Sequence, residues 1–247
     1  MHLLTSDTFE RPTDLTDGTD PAVLYARSYL LIRTTVGLIG IVLPIALFVV
    51  DAGVLHGSIT ARGSLSAYYH SGARDLFVGA LCVTGCLLMT YMGSQPRTLD
   101  FWLSLVAGAA VLGVALFPTR RPEIDPGALT PLQDRLGEGV VSAVHFTCAG
   151  TFILALAALC FVFAHREERY GDTPGRVRLH RTCGVVILAA VAWAALGFVA
   201  PLDLGWLTSL YLGEVASVWA FGLSWLVKGY DLRAMVRHLL PARAPQV

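Results

Sequence analysis

The sequence predicts an all-α polytopic membrane protein, a six-helix transmembrane bundle with both termini cytoplasmic. Three observations carry that expectation. Of the 247 residues 55% are hydrophobic and only 15% are charged. Mean hydropathy is +0.61, too apolar for a water-soluble domain of this length. Six stretches approach or reach the roughly 20 apolar residues that a helix needs to cross the hydrocarbon layer.

The elements follow in chain order. Residues 1–20 (MHLLTSDTFERPTDLTDGTD) are polar and acidic and lack the basic start, apolar core and cleavage site of a signal peptide. They predict a mobile tail, with the first span retained. The spans within a 21–230 transmembrane domain are expected at Tyr29–Val50, Asp75–Gly93, Asp100–Phe117, Gly139–Ala164, Cys183–Ala200 and Leu207–Val227. Residues 231–247 are left as a cytoplasmic tail, its start a short amphipathic helix that Pro241 stops. With the N-terminus inside, 13 of the 18 Lys and Arg fall on the cytoplasmic side and 5 outside. This asymmetry orients the bundle in a cell membrane of the bacterial inner-membrane type.

Local features refine the picture. Pro44 is expected to bend the first span. Small residues such as Ala109 and Gly113 predict close helix packing, and the oligomeric state is open between a monomer and a homo-oligomer. Gly63–Arg74 predicts a short interfacial helix that places Tyr68 and Tyr69 at headgroup level, and Trp102 and Trp206 fit an aromatic belt. The most basic stretch, His165–Thr182, reads as a cytoplasmic loop, Arg33 as an anchor that snorkels to the headgroups, and His56, His165, His180 and His238 as solvated. The five cysteines fall in or beside apolar runs and form no disulfide framework, and a formal net charge of zero disfavours a nucleic-acid partner.

Ionisable residues gather towards the outer half. His70, Arg74 and Asp75 stand at the outer entrance to the second span, His145 lies some six residues into the fourth, and Glu214 about seven into the sixth. At 1.5 Å per residue Glu214 lies roughly 10 Å below its helix end, where a carboxylate needs a wet cavity or a partner such as His145, Arg74 or a metal. Ser66, His70 and Arg74 recur at four-residue spacing, which a helix would put on one face. The expectation is a polar, outward-facing pocket for a small molecule or lipid headgroup. Glu214 and His145 form its floor, and His70, Arg74, Asp75, Arg120 and Arg121 its rim. A metal version uses His70 and His145 as nitrogen ligands and Asp75 or Glu214 as oxygen ligands, leaving a water position for attack on a lipid ester or amide. A small transporter is the third reading. No nucleophile elbow and no phosphate-binding Gly loop is present.

Two family resemblances enter here. Ala115–Leu116–Phe117–Pro118–Thr119, followed by Val144–His145–Phe146, resembles the six-span prokaryotic family catalogued as domain of unknown function 998. That resemblance covers the whole topology and implies the fold without an activity. Ser66-xxx-His70 followed by Asp75 is similar to elements of the alkaline ceramidase and adiponectin-receptor superfamily of membrane metallohydrolases, which implies zinc and lipid hydrolysis. Those proteins have seven spans and a His-xxx-His pair in the last, where this chain has Glu214.

Overall fold

The protein is described by a computed structural model covering residues 21–56, 61–91, 97–123, 127–169, 173–200 and 202–239, with side chains from Ser28 and up to Lys228. The 1–20 tail, the side chains of His56 and His238 and those of the expected C-terminal amphipathic helix lie outside the described residues.

The fold is all-helical. Its helices are α1 (Pro21–Phe48), α2 (Arg74–Thr90), α3 (Leu99–Leu116), α4 (Pro131–Leu136), α5 (Glu138–Arg169), α6 (Pro174–Leu196) and α7 (Ser209–Leu239). Five helical stretches are long and apolar enough to cross a membrane: Ser28–Gly53, Leu99–Leu116, Glu138–Arg169, Pro174–Leu196 and Ser209–Lys228. The chain is a multi-pass membrane protein. Its helices are apolar on both faces, as a lipid solvent demands. On α1, Leu31, Leu38, Val42 and Ile45 face outwards while Val36 and Leu47 are buried.

The helices form a ring. α1 packs on α7, α7 on α6, α6 on α5, α5 on α3 and α3 on α2, and the thinnest seam lies where α2 returns to α1. Missing side chains set the closest approach: a Cβ on Gly108 would stand 2.7 Å from the Gly85 carbonyl oxygen and 2.5 Å from Met89 Cγ. Only glycine lets the α2 and α3 backbones come so near. Trp102 and Trp206 are exposed, in keeping with an aromatic belt.

Pro44 sits inside α1, which ends at Phe48 and is followed by π-helical turns over Val49–His56. Several expectations are corrected. α6 starts at Pro174, with the proline at the first helical position where its missing N–H costs nothing, and ends at Leu196. The expected span at Cys183–Ala200 is therefore displaced towards the N-terminus, and most of the His165–Thr182 loop is helix. Gly63–Arg74 is not an interfacial helix: Ser66–His70 is one 3₁₀ turn, after which Ser71 is extended. That break takes Ser66, His70 and Arg74 off a common face. Tyr68 and Tyr69 do not meet headgroups but are buried in the protein. α7 runs on to Leu239, so the helix expected ahead of Pro241 is a continuation of the last span. Arg33 and His180, expected at headgroup level and in solvent, are 3% and 0% exposed.

Candidate functional site

The end of the bundle opposite the start of α1 and the end of α7, termed outer only to distinguish it from that inner end, is closed by a strap, the segment from Gly63 to His70. The strap is tied down by hydrogen bonds to its backbone, which a loop at membrane depth requires. Thr208 Oγ1 donates to the Gly63 carbonyl, and the Ala67 N–H donates to Ser64 Oγ at 2.9 Å. The carboxylate of Glu214 reaches up from α7 to accept the Leu65 N–H at 2.6 Å and the Ser66 hydroxyl at 3.4 Å. Glu214 thus finds its partners in the strap, not in Arg74 or His145.

Below the strap lies a cavity between α1, α2, α3, α5 and α7, with about 100 Å³ open to the centre of a water-sized sphere. Its walls are Val36, Leu43, Phe77, Leu81, Val114, Phe152 and other apolar side chains. Glu214, Ser66 and Thr84 are the polar ones. It sits behind the thin α1–α2 seam. A carboxylate has about four acceptor positions, and the strap fills most of them with the Leu65 N–H, the Ser66 hydroxyl and the Ser66 N–H, which leaves room for at most one donor from the cavity.

The two outer histidines hold a backbone segment. His145 Nδ1–H donates to the Phe117 carbonyl at 2.6 Å and His70 Nε2–H donates to the Thr119 carbonyl at 3.0 Å. A carbonyl only accepts, so each tautomer is fixed and His145 Nε2 is left as a buried acceptor without a partner among the described residues. Gln133 Nε2 also donates to the Thr119 oxygen, at 3.1 Å. Burial pushes the His70 pKa below its ordinary 6.5, against the opposing pull of the Thr119 carbonyl. Burial likewise raises the Tyr68 phenol.

The remaining predicted residues are dispersed. The Arg74 guanidinium stacks 4.5 Å from the Tyr69 ring centroid and donates to its hydroxyl at 3.0 Å. Arg121 pairs with Glu138 at 2.8 Å, and Asp75 is exposed. Arg120 lines a separate outer depression of about 580 Å³ with Ser64, Thr119, Ser142 and Phe146. Among the described residues no three His, Cys, Asp or Glu side chains are placed to share a metal ion. The donor set expected for zinc is not gathered among the described residues.

A second polar layer at the inner end escaped the sequence reading. Every long helix contributes: Arg33 from α1, Asp100 from α3, Arg166 and Glu167 from α5, His180 from α6 and Lys228 from α7, with Tyr91 following α2. Asp100 pairs with Arg166 at 3.2 Å, Glu167 with Lys228, and His180 Nδ1 meets Ser224 Oγ at 2.8 Å. Arg33 stands among Tyr29, Tyr91, Phe163 and Trp225, its Cζ 5.1–5.5 Å from each ring centroid. A signal was present. Cys160, Phe163, Ala164 and Glu167 on α5, and His180, Cys183, Gly184 and Ile187 on α6, are buried at i, i+3, i+4, i+7 spacing, so both inward stripes run on past the apolar core.

Fold and composition together define a multi-pass, all-helical membrane protein with a capped apolar cavity. Neither a protein-family model, nor a curated protein, nor a solved structure matches the chain.

Proposed function

We propose that this is a six-span protein of a bacterial-type inner membrane that binds a lipid-derived amphiphile, its chain in the central cavity and its headgroup at Glu214. The carrying observation is the combination of apolar walls with one carboxylate at the outer end. An acyl chain satisfies such walls and water does not. A carboxylate selects a head that donates hydrogen bonds, a hydroxyl, amide or amine, and repels phosphate. The α1–α2 seam is the access route from the bilayer.

In this reading α2 is the sixth span. Its 17 residues rise about 26 Å, short of a full crossing, and the flanking turns complete it. The uneven distribution of Lys and Arg supports cytoplasmic termini. Below the cavity, Phe221 packs on Trp225 with ring centroids 4.9 Å apart, which favours holding a ligand over passing it through.

The test is solvent extraction and mass spectrometry of lipids that co-purify in mild detergent. Wild type should carry a single-chain species with a donor head. Ala149→Phe and Val218→Phe, which fill the cavity, should lose it while remaining folded. Equal lipid in all three proteins rejects the proposal.

A further inference from the structure

We infer that the inner end of the bundle binds a small inorganic anion, at the edge of the Arg33 guanidinium. This site is separate from the Glu214 cavity and does not rest on its occupant.

Arg33 is 3% exposed, and its Nε and Nη2 have no hydrogen-bond partner among the described residues. Trp225 is fully buried beside it, and its indole Nε1 also lacks a partner among them. Three nitrogens bearing four N–H donors are therefore left unmatched in one aromatic cage. A buried guanidinium cannot escape the cost of its charge by losing a proton, as a lysine or a carboxyl can. Cation–π contacts with four rings offset part of that cost, but a ring offers no lone pair to the guanidinium N–H groups.

The nearby carboxylates face other cations, Asp100 facing Arg166 and Glu167 facing Lys228, and Asp100 also acts on Arg33 through space without pairing with it. Asp100 Oδ1, both Glu167 oxygens and His180 Nε2 make no hydrogen bond among the described residues, so acceptors are present in this layer but none is seated on the Arg33 edge. Arg33, Arg166 and Lys228 stand against two carboxylates, Asp100 and Glu167, and what the layer lacks is one negative charge, which water does not bring and an anion does. Burial within the bundle keeps a membrane-tethered headgroup away from this edge and selects a free ion. Chloride is the compact choice, and inorganic phosphate is the oxyanion counterpart.

The experiment uses the full chain in neutral detergent, prepared in gluconate without chloride. Sodium chloride and sodium phosphate are titrated at constant ionic strength while the melting temperature is read, and labelled chloride binding is measured in parallel. Saturable stabilisation is expected, with about one labelled chloride per chain. Trp225→Phe keeps the ring and removes one donor, and should raise the half-saturating concentration about tenfold. Arg33→Met should abolish the dependence. Saturation by phosphate and not by chloride supports the site with the oxyanion as its ligand. Identical wild-type melting in all three salts with no labelled chloride bound overturns it, whether or not the variants fold.

Discussion

The two ends of this bundle use polar groups in opposite ways. At the outer end, Glu214, His70 and His145 each reach a backbone group of a connecting segment: the Leu65 N–H, the Thr119 carbonyl and the Phe117 carbonyl. At the inner end, side chains meet side chains across helices, as in Asp100–Arg166 and Glu167–Lys228. The outer groups fasten loops to the bundle; the inner ones fasten helices to each other. A ligand as bulky as an amphiphile is better placed at the end whose ties are local, because the thin α1–α2 seam beside the strap can part without breaking ion pairs between helices.

The largest expected effect lies at the inner end. Glu167→Gln removes a fully buried carboxylate facing Lys228, and should destabilise the folded protein by about 3 kcal/mol or more, since breaking a buried pair strands the remaining charge. Thermal unfolding in detergent checks this. Ser66→Ala at the outer end should cost on the order of 1 kcal/mol, because the Leu65 N–H still holds Glu214. Equal losses at both ends would erase the contrast.

A smaller effect concerns pH. The folded His70 pKa lies below its ordinary 6.5, so the fold favours neutral imidazole. Stability from this group is complete above about pH 6.5 and declines as pH falls through that value towards the lower folded pKa, because the unfolded chain takes up the proton first. His70→Gln should flatten the melting temperature between neutral and mildly acidic pH. An unchanged slope would mean that this imidazole is not the titrating group.

Much of the fold was legible in hydropathy, because a bilayer imposes length and apolarity on each crossing. α6 was misplaced for a physical reason. Arg176, Arg178 and Arg181 lower the hydropathy of its first turns, yet Arg178 and Arg181 are exposed while His180 faces inwards. Average hydropathy hides such sidedness. Glu214 was identifiable as an intramembrane carboxylate, but its partner was not, since Leu65 contributes a backbone N–H and any residue except proline would carry that donor. Arg33 was misread because its burial depends on four rings from α1, the end of α2, α5 and α7, a convergence that one chain's spacing does not encode.

The most direct test of an amphiphile in the central cavity is photolabelling of the protein in membranes with a single-chain amphiphile that carries a hydroxyl head and a photoreactive group along the chain. The account predicts labelled peptides from the cavity walls, such as Val36–Pro44 of α1 and Phe77–Thr84 of α2, with competition by unlabelled amphiphile and loss in Ala149→Phe. Labelling confined to outward-facing positions such as Leu31, Val185 and Phe198, without competition, would contradict it.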